Sequence, residues 1–313
     1  MTPKIVYRDM GPNLLKELPR EYSQEHEGLT KLMFPSQGFH SIQPPYFDRL
    51  LLERMNNVWS KQLVRWRFKF DPTSEKNIAQ WLNSVGEEFS RVTGIPIKRK
   101  WVADTCNLGN PPQSKADIVL VDYASSRTNC PTWGNIHAFG EVMNQSTFDS
   151  MTKRIVNTKT GALFAAQETR RFVPSFAING GKGNGQEGPQ LTLSLIDREG
   201  VLFQNVNMRG GVVPASALLR IIAGFMCGDS VGLGYDPTVT LDANGKVDTI
   251  TVEGLTTKST YRVLKTLHVA RGYQGYLGSQ CRCTERSKDT PPLTWPSRCP
   301  SRHSSSNGAD PTI

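Results

Sequence analysis

The spacing of apolar residues changes several times along the chain, and each change predicts a new element. Phe47, Leu50, Leu51, Met55 and Val58 recur at helical spacing after Pro44-Pro45. Val64, Trp66, Phe68 and Phe70 then alternate with Arg65, Arg67 and Lys69, which predicts a half-buried strand with a basic outer face. The clearest helix follows. Ile78, Trp81, Leu82, Val85, Phe89 and Val92 fall on one stripe, Thr73 or Ser74 can cap its start, and Gly94 can close its end. A strand is expected over 95–102. Asp117–Tyr123 is a nearly unbroken β-branched run, the mark of a strand covered on both faces. Further strands are expected over 135–142 and 171–178, with a helix over 148–166 between them. A hairpin is expected from 191–196 to 201–206 across Asp197-Arg-Glu-Gly200, then an apolar helix over 213–226 and a strand over 261–269.

The order from 74 to 178 is α-β-β-β-α-β, which predicts an α/β (α+β) fold with a mixed central sheet and flanking helices. Four regions are expected. Residues 1–70 form a helical and irregular lead, 71–207 an α/β module, and 208–275 a helix and strand leading onward. Residues 276–313 are rich in Pro, Ser, Arg and Cys, without apolar period, and read as a disordered basic tail.

Composition narrows the class. The chain has 313 residues, 37% of them hydrophobic, and a mean hydropathy of −0.41. Its longest apolar stretch, Ala215–Met226, is interrupted by Ser216, Arg220 and Gly224 and is too short to span a bilayer. No secretory signal is expected at the start, so we expect an intracellular protein, cytoplasmic or nuclear, without a disulfide scaffold. The sequon at Asn144 is then idle. Net charge is +9, but from Lys258 onward nine basic residues against three acids account for most of it. A basic tail on a nearly neutral body points to nucleic acid much less than a basic fold does. The candidate nucleic-acid contacts are Arg65, Arg67, Lys69, Lys98, Arg99 and Lys100.

Two carboxylates stand out. Asp117 opens one strand and Glu141 closes the next, so they are candidates to hold a hard divalent cation through oxygen ligands. The arrangement resembles the PD-(D/E)XK nucleases, whose restriction-endonuclease-like core has this element order and places a lysine two residues after the second acid. Here that position is Met143, and Ala116 precedes Asp117. Methionine carries no charge to orient water, so the acidic pair reads as vestigial. Gly183, Gly185 and Gly188 spell a GxGxxG, but Pro189 and a strand follow where a phosphate-binding helix should begin. Cys281, Cys283, Cys299 and His303 could be offered as zinc ligands, but Cys281-x-Cys283 is too short for the usual knuckle and no core supports the segment, while Cys106, Cys130 and Cys227 read as isolated. His137 reads as a core histidine.

Several segments in order resemble the fungal-type protein kinase family. They are Trp133-Gly-Asn-Ile-His-Ala-Phe-Gly-Glu-Val142, Phe164-Ala-Ala-Gln-Glu-Thr-Arg-Arg-Phe-Val-Pro-Ser-Phe176, Leu193–Gly200 and Leu233-Gly-Tyr-Asp-Pro-Thr238. The resemblance implies a module that precedes a kinase lobe, and places Gly272 and Gly275 at a remnant of the glycine-rich nucleotide loop. No V-A-I-K-like strand, H-R-D-x-x-x-x-N segment or D-F-G follows. Phosphoryl transfer needs these parts together. The resemblance therefore implies a pseudoenzyme-like fragment of a longer gene that acts by binding an unidentified protein partner. No cofactor is expected, and Mg2+ with ATP would enter only with an intact kinase lobe. The alternatives are a divalent-metal nuclease, nucleic-acid binding without cleavage, and family-type phosphotransfer. No membrane partner is expected.

Overall fold

The computed structural model describes residues 23–39, 46–67, 74–103, 115–124, 130–143, 159–167, 169–179, 189–197, 200–208, 210–242, 246–254 and 257–263. The strands are β1 (Ser23–Glu25), β2 (Trp59–Ser60), β3 (Arg65–Trp66), β4 (Arg99–Val102), β5 (Ile118–Asp122) and β6 (Ala138–Met143). After them come β7 (Val173–Asn179), β8 (Gln190–Ile196), β9 (Val201–Asn207), β10 (Val239–Leu241), β11 (Val247–Glu253) and β12 (Lys258–Arg262). The helices are α1 (Leu29–Met33), α2 (Arg49–Arg54), α3 (Glu75–Thr93), α4, described over 159–166, and α5 (Val212–Cys227).

Seven strands form one mixed sheet in the order β1-β9-β8-β7-β6-β5-β4. The β6–β7 and β1–β9 pairs are parallel, and the others are antiparallel. From α3 to β7 the element order is the α-β-β-β-α-β that the apolar pattern predicts. The period-two alternation of the strands divides the core. Ile118, Leu120, Phe176, Ile178, Leu191 and Leu193 pack with α3 and α5 in the larger core. Val119, Val121, Phe139, Val173 and Ile196 belong to a smaller core with Leu163 and Phe164 of α4. Both faces of β5 are therefore covered, as its continuous apolar run demands.

Local chemistry sets the helix ends. The Ser74 side chain accepts from the Asn77 amide to cap α3, and Gly94 closes it at φ 75°, in the left-handed region where glycine meets no steric penalty. Gly86 lets α3 approach α5 closely; a Cβ there would collide with the Met226 sulfur. Trp101 of β4 bridges sheet and helix, its ring centroid 5.0 Å from Phe176 and 5.3 Å from Phe225.

Several expectations need correction. The helix expected over 47–58 is only Arg49–Arg54, capped by Asp48, and Trp59 is already in β2. The strand expected over 64–70 is Arg65–Trp66 among the described residues, because Val64 has a positive φ of 48° and turns the hairpin. The pattern does not predict β1, whose three polar residues have no period. It also misses β10 and β11, half-exposed strands that never show a continuous apolar side, and of the strand expected over 261–269 the described residues place only 261 and 262 in a strand, β12. Cys130 is disulfide-bonded, against the expectation of unpaired, isolated cysteines, while Cys227 is a free buried thiol. No helix among the described residues is long and apolar enough to cross a membrane. Lys69, Gly183, Gly185, Gly272, Gly275, the tail cysteines and His303 lie outside the described residues.

Candidate functional site

The antiparallel register of β5 and β6 sets Ile118 opposite Gly140. Asp117 therefore stands beside the end of β6, and its Oδ2 accepts from the Val142 amide at 2.8 Å. Glu141, one residue earlier, is buried in β6. The two candidate acids thus meet at one end of the sheet, as their places at opposite ends of successive strands require.

Two residues that the sequence reading did not single out complete the cluster. Lys159, at the start of the described part of α4, donates to Glu141 Oε2 at 2.5 Å, with both side chains almost wholly buried. The positive charge that Met143 cannot provide therefore comes from a helix packed across the sheet. Glu75, in the first turn of α3, shares a hydrogen bond with Asp117. The sequence did carry a signal for Glu75: an acid directly after the helix cap. Lys159 has no comparable signal, because its partner is 18 residues away and on another element.

Burial dominates the electrostatics. It lifts the Glu141 carboxyl to about 7, with Lys159 opposing the shift and Asp117 adding to it. Burial, followed by the neighbouring Asp117 charge, also raises Glu75. Glu141 Oε1 is buried without a hydrogen-bond partner, as is the whole carboxamide of Asn179 on β7. Register puts Asn179 beside Met143, on the sheet face that carries Glu141. Among the described residues, no three His, Cys, Asp or Glu side chains come together to hold a metal ion.

A second polar centre lies at the other end of β5. The Arg170 guanidinium is buried and lies 3.8 Å from the centroid of the Tyr235 ring. It donates to the carbonyls of Leu233, Ile136 and His137, to Gln167 Oε1 and to the Tyr235 hydroxyl. Arginine only donates, so the Tyr235 hydroxyl accepts from Arg170 and gives its own proton to His137 Nδ1 at 2.9 Å. His137 Nε2 must then carry the ring proton and donate to Asp122 Oδ1 at 2.8 Å. The tautomer is fixed by the chain of donors. His137 is thus not simply a core residue but the third member of an Arg170-Tyr235-His137-Asp122 relay.

Among the described residues, the basic candidates are engaged in different ways. Arg99 is buried and donates to the Phe225 and Gly228 carbonyls, and Lys98 also donates to Gly228. Together they supply the positive charge that the last turn of α5 lacks. This corrects the expectation for Arg99, whose charge is committed to a helix end. Lys100 lies over the Tyr123 ring, and Arg67 donates to the Trp59 carbonyl while Arg65 is exposed. The element after the glycine-rich segment is β8, as expected, so no helix N-terminus follows it.

Residues 115–285, more than half of the chain, match the family model described as fungal protein kinase. No curated protein and no solved structure matches the chain.

Proposed function

Because the chain belongs to the fungal protein kinase family, we propose that it serves as a module that binds or positions a kinase lobe and does not itself transfer phosphate. The observation that carries this reading is the Arg170 clasp. Three of the segments that carry the resemblance supply its parts: Ile136 and His137 from the first, Gln167 and Arg170 from the second, and Leu233 and Tyr235 from the third. Arg170 and His137 tie Tyr235, which precedes β10, to the main sheet, and all three guanidinium nitrogens of Arg170 are engaged in the clasp. The 313 residues also contain no H-R-D-x-x-x-x-N or D-F-G segment to supply a catalytic aspartate and magnesium ligands. Incubation with Mg2+ and labelled ATP, with and without an acceptor protein, tests the reading. Phosphate release or transfer at the protein-free rate supports it.

A second reading is favoured by Lys159. Asp117, Glu141 and a lysine at one sheet end suit metal-dependent phosphodiester cleavage. The donor set fits Mg2+, which is commonly held by one or two carboxylates and completes its shell with water and phosphate oxygens. Glu141 Oε1, buried and unpartnered, is the oxygen free to serve, and Asp117 would be the second ligand. When bound, such an ion activates water and offsets charge on the phosphate. Glu75 would hold Asp117, and Lys159 would hold Glu141 in place. Plasmid incubated with Mg2+ or Mn2+ tests this reading. Cutting that disappears in Asp117→Ala supports it, and absent or Asp117-independent cutting removes it.

A further inference from the structure

We propose that the cleft between the ends of α2 and α3 is an anion site that takes a tetrahedral phosphate dianion, free or as a monoester. The cleft has a volume of about 530 Å3 and is lined by Arg54, Asn56, Asn57, Arg91 and Val92. It lies outside both polar centres described above, and the proposal does not depend on either functional reading.

The cleft is built around one buried acid that has nothing left to offer. Glu88 receives four hydrogen bonds: from Arg91 Nε and Nη2, both at 2.7 Å, from Asn57 Nδ2 at 2.8 Å and from the Asn57 amide at 3.3 Å. Those bonds hold its carboxyl down at about 2, with Arg91 the largest cause, so it stays ionised. A fully bonded carboxylate cannot ligate a cation. Its role is to orient Arg91 in a fork-to-fork pair and to fix Asn57.

What remains at the cleft is donors. Arg54 gives one guanidinium nitrogen to the Val92 carbonyl at 2.9 Å and has no carboxylate partner among the described residues. The Arg91 side chain is 55% exposed on the edge away from Glu88. Asn56 is exposed and makes no hydrogen bond among the described residues. A helix C-terminus ordinarily repels anions. Here two of the last four carbonyls are already occupied, Val92 by Arg54 and Ser90 by the Gly94 amide. Two guanidiniums on different helices, with a carboxamide beside them, match the several acceptor directions of a tetrahedral dianion better than a planar carboxylate, which one guanidinium satisfies.

Titration calorimetry on the full chain at low salt tests the proposal, using inorganic phosphate, phosphoserine and acetate. One saturable phosphate site is expected, with Asn56→Asp and Arg54→Gln each weakening it by about tenfold or more. Asn56→Asp changes an exposed side chain and keeps the fold, so it decides the matter if Arg54→Gln is poorly folded. Tighter binding of phosphoserine identifies a phosphorylated side chain as the source, and tighter binding of inorganic phosphate identifies the free ion. Binding equal in wild type and both variants, absent in wild type, or as tight for acetate as for phosphate overturns the proposal.

Discussion

Lys159 Nζ lies 2.5 Å from Glu141 Oε2, and this ion pair is buried between α4 and the end of β6. The lysine enters from a helix, while both acids come from the sheet. Burying both charges is expensive, so their attraction does little more than offset desolvation. Removing one partner is far more costly than removing both. Lys159→Met is expected to destabilise the fold by about 3–5 kcal/mol at pH 8. The pair Lys159→Met with Glu141→Leu should recover most of that loss. Urea unfolding of the two variants checks this; equal losses would show that the pair does not act as a unit.

The raised carboxyl of Glu141 gives stability a pH signature. In the unfolded chain a glutamate ionises near 4.5, whereas in the fold Glu141 holds its proton to about 7. Between these values the folded state binds more protons, so this group's contribution falls as pH rises through that window. Glu141→Gln should lack that slope. Unfolding free energies measured from pH 4 to 8 on both proteins check the sign.

The Arg170 clasp has separable parts. Arg170→Leu leaves the carbonyls of Leu233 and His137 without their side-chain donor in a buried setting, while Ile136 keeps Gln167, and is expected to cost about 3 kcal/mol or more. Tyr235→Phe keeps the ring under the guanidinium but removes the proton given to His137 Nδ1, and should cost about 1 kcal/mol. Chemical unfolding ranks the two. Amide exchange in β10–β12 should quicken in Arg170→Leu, because Tyr235 precedes that sheet.

His137 should titrate below its ordinary value. Burial is the largest cause, and the Arg99 and Arg170 charges act in the same direction against the pull of Asp122. Stability from this group is present above about 6.5, the unfolded value, and is lost as pH falls below it, because the unfolded histidine takes the proton first. Proton NMR of the imidazole ring gives the value directly; a midpoint above 6.5 would show that Asp122 outweighs burial and the two arginines.

The sequence made the framework readable where one element's own chemistry decides it. Ser74, the apolar stripe of α3 and Gly94 specify that helix alone, and the run at 118–121 needs no partner to be read as a covered strand. The Asp117–Glu141 meeting was legible because strand ends in an antiparallel pair must adjoin. Lys159 was not, since nothing local says which way a helix lysine will point. Arg99 misled for the same reason: its run with Lys98 and Lys100 looks like a solvated edge, and only the packed end of α5 engages it. Strands β10 and β11 escaped because they alternate Thr with apolar residues and bury neither face fully. The resemblance located the family segments, but that Arg170 joins them is a tertiary fact.

The most direct measurement of the central claim is ATP consumption by the full 313-residue chain with saturating Mg2+, compared with a protein-free control. Equal rates are expected, in the presence or absence of acceptor protein. ATP turnover that rises in proportion to the protein would contradict it.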